Sequence, residues 1–179
     1  MKLIYVLSFS DFLEYQLYFS SKSEVQQKNR KKSRNVVPLI YAILIILVLF
    51  LNQYLIATTF TIIAIAWYLF HPLYAKHRYK KHFEKHIKEN YKNRINKEVT
   101  LNFDNESDSL SATDSGTKTV INASEFDKLI ELKGHFFLRL KSEVALVIPK
   151  HAIIDKDAFK KVFSDLNINY VNEINWEWK

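Results

Sequence analysis

Two histidines spaced four residues apart form the most metal-like pattern in the chain. His82 and His86 fall on a predicted helix, where this spacing places both side chains on one face, as two zinc ligands require. Glu84 lies between them, but the metalloprotease motif needs glutamate directly after the first histidine, where Phe83 stands here. The sequence offers no clear third ligand. We therefore interpret both histidines as solvated residues of a basic helix and predict no metal site.

Two further histidines and a pair of aspartates are the candidate groups for catalysis. His135 falls in a predicted strand next to a turn, and His151 follows Pro149 and Lys150. Neither histidine is accompanied by a nucleophile motif such as Gly-x-Ser-x-Gly. Asp155 and Asp157 stand at the start of a predicted helix, where carboxylates stabilise the first turn. We predict no catalytic residue and a non-enzymatic protein.

Composition excludes several classes of cofactor site. The chain has no cysteine, which rules out disulfides, thiolate-bound zinc and cysteine-bound iron–sulfur clusters. Its two glycines, Gly116 and Gly134, lie alone in polar turns and cannot form a glycine-rich phosphate loop. We predict that the protein uses no cofactor.

A long stretch without charged residues lies in the first half of the chain, and the segments that could carry a site flank it. Residues 35–75 contain no Asp, Glu, Lys or Arg, and one straight helix of this length would be about twice as long as the ~30 Å hydrocarbon core of a bilayer. Asn52 and Gln53 interrupt the apolar run and leave two halves that each match one crossing. We predict a membrane α-helical hairpin with its turn near 52–53. Thr58, Thr59 and Thr61 could lie at a helix–helix contact, which leaves an oligomer open.

Basic residues flank one end of this hairpin. The formal charge of the chain is +7, yet residues 22–97 alone carry +12. Because the turn is uncharged, the positive-inside rule predicts a two-pass protein of the bacterial inner (plasma) membrane with both termini in the cytoplasm. The residues that we expect to contact lipid headgroups are Lys28, Arg30, Lys31, Lys32, Arg34, Lys76, Arg78, Lys80 and Lys81. A charge confined to the membrane flanks argues against a nucleic-acid partner.

The flanking segments are predicted from hydrophobic periodicity. Residues 1–34 are expected to form a strand and then an amphipathic basic helix, in which Asp11 and Glu14 have the spacing of a capping box. Residues 76–97 are expected to form a basic amphipathic stem helix.

Residues 98–179 are predicted to form an α+β cytoplasmic domain. Apolar and polar residues alternate from Val99 onward, and the Asp114-Ser115-Gly116 turn joins two of the strands. We expect an antiparallel sheet that ends at Pro149 and is closed by a C-terminal helix over 155–166, with a final strand around Ile174.

Four lysines near that helix are a candidate partner surface: Lys150, Lys156, Lys160 and Lys161. They could dock on anionic lipid or on an acidic protein. The alternative is that they form an ordinary solvated helix face.

The order of these segments resembles the YcxB-like family of bacterial membrane proteins. The residues that carry the resemblance are the segment Phe9–Tyr18, the basic run, the double membrane pass, and Leu146-Val147-Ile148-Pro149-Lys150 before a short helix. The chain departs from the family pattern at Ala123–Phe126, where a Trp-Ser-Asp-Ile-like segment is expected. The resemblance implies a pleckstrin-homology-like (PH-like) C-terminal domain and no catalytic residue.

We therefore expect a non-enzymatic membrane protein that presents a cytoplasmic PH-like domain to a protein partner or to anionic lipid. A second hypothesis is a membrane immunity protein that neutralises a membrane-acting toxin. Small size and an aromatic-rich hairpin motivate this alternative.

Overall fold

The computed structural model describes residues 1–104, 108–114 and 116–178, and combines helices with β-sheets in an α+β architecture. Parts of the predicted polar linker over 104–108 and of the 114–116 turn lie outside the described residues. The chain divides into two compact units. One, the hairpin unit, comprises Leu17–Phe83 with Trp178, and the other, the sheet unit, comprises Met1–Gln16 with Glu84–Glu177.

Two long helices form the hairpin unit. Helix α2 spans Glu24–Phe50, and helix α3 begins at Tyr54 and continues to Asn90. Ser23 caps α2 by accepting a hydrogen bond from the backbone N–H of Gln26. Between the helices Asn52 adopts a left-handed conformation, with φ of 54°, that asparagine tolerates better than most residues. This conformation lets the chain reverse direction within three residues.

The apolar side chains of the hairpin unit face outward. None of the most apolar window of α2 and only 11% of that of α3 is buried. The two helices meet through small and aromatic residues, including the buried Ala57 and the rings of Tyr41 and Phe60, whose centroids are 5.6 Å apart. The hydroxyls of Thr58, Thr59 and Thr61 donate to carbonyls one turn earlier in α3.

The N-terminal helix differs from its prediction in two ways. Helix α1 spans Phe9–Lys22, so the basic run belongs to α2 and not to an N-terminal amphipathic helix. The capping pair is Ser8 with Asp11, because the Asp11 carboxylate accepts the Ser8 N–H at 2.7 Å and the Ser8 Oγ accepts the N–H of Asp11 at 3.4 Å. Glu14 takes no part in this cap.

The predicted stem helix over 76–97 is the last part of α3 and ends earlier, at Asn90. Asn96 then takes a left-handed conformation with φ of 58°, and its backbone N–H donates to the carbonyl of Leu7 at 2.9 Å. This turn redirects the chain from the helix into the first of the C-terminal strands.

The sheet unit contains two four-stranded sheets rather than the single predicted one. The first has the order β1-β2-β3-β4, with strands Lys2–Val6, Glu98–Asp104, Ser109–Asp114 and Thr117–Asn122, all antiparallel. Strand β1 pairs Leu3 with Leu101, and both side chains are buried. The sheet that the sequence assigned to 98–179 is therefore completed by the N-terminus of the chain.

The second sheet has the order β7-β6-β5-β8, formed by Ala145–Pro149, His135–Leu140, Phe126–Glu131 and Asn169–Asn172. The prediction of a purely antiparallel sheet was wrong, because β8 pairs in parallel with β5. Helix α4, Lys156–Asp165, supplies the crossover that a parallel arrangement needs. The final strand contains Tyr170 and ends before Ile174.

Helix α4 packs its aromatic residues against both sheets. Asp155 caps it, as predicted, by accepting the backbone N–H groups of Asp157 and Ala158. The Phe163 ring lies 5.3 Å from that of Phe103 in the first sheet, and the Phe159 ring lies 5.1 Å from that of Phe136 in the second. These contacts form the aromatic core of the sheet unit.

Candidate functional site

A buried histidine joins helix α1 to the second sheet. His135, whose side chain is 8% exposed, lies on β6, and its Nε2 is 2.9 Å from Asp11 Oδ1. Its Nδ1 is 3.2 Å from Glu14 Oε2, without the alignment of a hydrogen bond. Asp11 is therefore the hydrogen-bonded partner, while Glu14 contributes its charge. We call these three residues the histidine cluster.

The histidine cluster keeps its imidazole protonated at neutral pH. Burial by itself would lower the pKa of His135, but the two carboxylates outweigh this effect and raise its pKa to about 9. Burial likewise opposes ionisation of Asp11, yet bonds to His135 and Ser8 hold its pKa below the usual value. The protonated imidazole and the Asp11 carboxylate thus form a buried charge pair that links α1 to β6.

A second buried charge lies on the neighbouring strand β5. The Glu131 side chain is 5% exposed, and its two oxygens are 2.6 Å from Lys150 Nζ and 2.6 Å from Lys160 Nζ. The Tyr170 hydroxyl donates to the same carboxylate. Burial would raise the pKa of Glu131, but these bonds lower it to about 2. We call this group the glutamate cluster.

The glutamate cluster uses two of the four lysines that were predicted as a partner surface. The Lys150 and Lys160 ammonium groups lie over the Phe136 ring, 5.0 and 5.7 Å from its centroid, besides pairing with Glu131. Lys156 and Lys161 are exposed on α4. The predicted patch is thus divided between two partly exposed lysines that pair with Glu131 and two exposed lysines.

The basic residues at the open end of the hairpin fall into two groups. Most of them are exposed to solvent: Lys28, Lys31, Lys32, Lys76, Arg78, Lys80 and Lys81. Arg30 and Arg34 are half-buried, and each lies over an aromatic ring. The Arg34 guanidinium is 4.6 Å from the ring centroid of Tyr68, and that of Arg30 is 4.9 Å from the ring of Trp178 and 5.5 Å from the ring of Tyr79.

A cavity of about 340 Å³ opens between α2 and α3 beside Arg30. We call it the interhelical cavity. Four of the residues that line it are basic: Arg30, Arg78, His71 and His82. Asn29, Ser33 and Tyr79 add polar groups, and the Ser33 Oγ lies 3.2 Å from the Nε2 of the buried His71. Among the described residues that line the cavity, none is acidic.

His82 and His86, the candidate metal-ligand pair, make separate contacts. His82 is exposed and lies beside the Phe83 ring, whereas the His86 Nδ1 is 3.0 Å from the Asn90 amide nitrogen. His151 is exposed in a short 3₁₀ turn after β7. Within the described part of the chain, no three His, Cys, Asp or Glu side chains are grouped so that they could hold a metal ion.

Sequence reasoning missed both buried ion clusters. Asp11 and His135 are separated by most of the chain, so no local spacing signals their contact. One signal was present for Glu131: an acidic residue within the otherwise apolar segment Leu129–Leu132 requires a partner if the strand is buried.

Comparison with family models matches part of the chain. A family model described as YcxB-like protein matches residues 106–163, which is less than half of the chain. The matched range contains Leu146–Lys150 and Ala123–Phe126, whereas Phe9–Tyr18 and the hairpin lie outside it. No curated protein and no solved structure matched the chain. The resemblance to the YcxB-like family is confirmed, and it is carried by residues 106–163.

Proposed function

We propose that the protein is anchored by α2 and α3, which cross the bacterial inner membrane and return. The observation that carries this proposal is the outward exposure of the apolar side chains on both helices, such as Leu39 and Ile43 on α2 and Leu55 and Ile65 on α3. A core helix of a soluble protein would bury such residues, whereas a bilayer solvates them. Two consecutive helices of this kind, joined by a tight turn, favour an anchor over a cleaved leader segment.

The orientation follows from charge. The basic residues lie at the end of the hairpin opposite Asn52, and the turn itself carries no charge. By the positive-inside rule, the basic end and the sheet unit that continues from it are cytoplasmic.

On this orientation, the sheet unit is a PH-like binding domain held close to the membrane. Two antiparallel-rich sheets with a helix packed against both support this assignment, together with the YcxB-like match. We propose a non-catalytic role, binding a protein partner or anionic lipid, because the buried titratable groups of the sheet unit pair with one another. His135 is held as a cation and Glu131 as an anion, so each serves packing.

Extraction of cell membranes tests the anchor. The full-length chain is expected to stay in the membrane pellet after an alkaline carbonate wash, which strips peripheral proteins, and to dissolve only in detergent. Release by carbonate alone would show that the hairpin does not cross the bilayer. A membrane protein of established two-pass topology serves as the control for complete retention.

A further inference from the structure

We propose that the interhelical cavity binds the phosphate-bearing headgroup of an anionic phospholipid. This inference rests on the proposed insertion of α2 and α3 into the membrane. The cavity has the size of a small-molecule site, and its lining brings together two arginines, two histidines and hydroxyl and amide groups. These groups are donors that match the oxygens of a phosphodiester.

The cavity carries positive charge that no described residue of its lining balances. Within the described residues, neither Arg30 nor Arg78 forms an ion pair with a carboxylate, and the cavity lining contains no acidic side chain. Two guanidinium groups from two different helices therefore border one cavity, and the part of its lining that the structure describes supplies no anion. A phosphate group placed there would neutralise this charge and join α2 to α3.

Arg30 is already held in position. Its guanidinium lies over the neighbouring Trp178 and Tyr79 rings, and its two terminal nitrogens donate to the carbonyls of Ser20 and Ser21 at 3.4 Å each. An arginine that is fixed before binding loses little conformational entropy when it meets its ligand. Two of its five N–H donors are used in these bonds, so others remain for an anion.

The position of the cavity along the hairpin favours a lipid over a soluble anion. His71, which lines it, lies near the end of the uncharged stretch, beside the rings of Trp67 and Tyr74. Tryptophan and tyrosine prefer the headgroup level of a bilayer. A cavity beside these rings therefore lies at the depth expected for the phosphate groups of lipids.

Lipid retention by the full-length chain tests the proposal. The protein would be reconstituted in phosphatidylcholine vesicles that contain a minor fraction of phosphatidylglycerol and then transferred to mild detergent. Native mass spectrometry would measure the phosphatidylglycerol that stays bound. The variant Arg30→Gln with Arg78→Gln is expected to retain about tenfold less phosphatidylglycerol than the natural chain. The matched control, Lys85→Gln with Lys88→Gln, removes the same charge from exposed positions of α3 that neither line the cavity nor belong to the predicted headgroup contacts, and should stay within about twofold.

Equal losses in the two double variants, or no loss in either, would overturn the proposal, because retention would then reflect general surface charge or a different site. A second variant, Ser33→Phe, keeps every charge and fills the cavity, so it should also lose the lipid. If circular dichroism shows that the double arginine variant is not helical, lipid retention by Ser33→Phe becomes the test of the proposal. Retention by a helical Ser33→Phe variant would contradict the cavity as the site.

Competition with inorganic phosphate distinguishes a lipid headgroup from a free phosphate ion as the ligand of the cavity. Added in excess over lipid, inorganic phosphate is expected to leave the retained phosphatidylglycerol in place, because it lacks acyl chains. Displacement by phosphate alone would assign the cavity to a soluble anion and overturn the lipid proposal. The carbonate extraction distinguishes a failure of the lipid site from a failure of the proposed membrane anchor. A chain that stays in the membrane but retains no lipid refutes only the lipid site. A chain that is released by carbonate refutes the anchor as well.

Discussion

His135 is the residue through which pH should act on stability. Its pKa in the folded chain is about 9, above the value near 6.5 of an unfolded histidine, so protonation favours the folded state. The contribution of the histidine cluster is therefore complete below pH ~6.5 and is lost as the pH rises through ~9. Over this interval we expect the free energy of unfolding to fall by about 2 kcal/mol, after allowance for solvent screening.

Thermal unfolding of the detergent-solubilised chain, followed by circular dichroism at pH values across this interval, measures the effect. The variant His135→Gln should lose most of the pH dependence together with some stability at neutral pH. His151→Gln, at an exposed position, is the control and should unfold as the natural chain does. If His135→Gln kept the full pH dependence, the histidine cluster would not be its source.

Glu131 should be more sensitive to substitution than any exposed carboxylate. Replacement by glutamine leaves the ammonium groups of Lys150 and Lys160 packed against Phe136 without an anion. Because the Lys150 and Lys160 side chains are 14% and 34% exposed, water can partly solvate them, and we expect a loss of about 2 kcal/mol. Glu143→Gln, at a side chain that is 82% exposed, is the matched control and should change stability by less than about 0.5 kcal/mol. Equal melting temperatures for the two variants would argue against a buried ion cluster.

At the scale of elements, strand β1 makes the N-terminus part of the sheet unit. Leu3 and Ile4 are neighbours on this strand, but Leu3 is 7% exposed and Ile4 is 52% exposed. Leu3→Ala should therefore destabilise the protein by about 3 kcal/mol, whereas Ile4→Ala should cost less than about 1 kcal/mol. Comparison of the two melting temperatures tests both the pairing and its register. A larger loss for Ile4→Ala would show that the strand presents its other face to the core.

Elements whose signals are local were predictable from the sequence. Alternation located β2, β3 and β4, and the carboxylates Asp155 and Asp157 marked the start of α4. The pairing of β1 with β2 was not predictable, because it joins residues separated by the whole hairpin and no local pattern records such a contact. The parallel pairing of β8 was missed for the same reason, since its direction depends on where the α4 crossover returns the chain.

The candidate sites, like the strands, were predictable where the signal is local in the sequence. They were not predictable where they depend on contacts between distant residues. The basic residues at the open end of the hairpin were found from composition alone, because charge beside an apolar stretch is visible in the sequence. Their grouping around the interhelical cavity was not visible, because it depends on how α2 and α3 lie against each other. The pairing of Lys150 and Lys160 with Glu131 was likewise not visible, because it joins the turn after β7 and helix α4 to strand β5.

At the scale of the whole molecule, the central claim is that the hairpin crosses the membrane and leaves both termini in the cytoplasm. The chain contains no cysteine, so a single introduced cysteine reports its own location. Gln53, exposed in the hairpin turn, and Ser142, exposed in the turn between β6 and β7, mark the two predicted sides.

Labelling of Gln53→Cys and Ser142→Cys by a membrane-impermeant maleimide, in intact spheroplasts and again after permeabilisation, tests this claim most directly. Gln53→Cys is expected to react in intact spheroplasts, and Ser142→Cys only after permeabilisation. Reaction of Gln53→Cys only after permeabilisation, or of Ser142→Cys before it, would contradict the account.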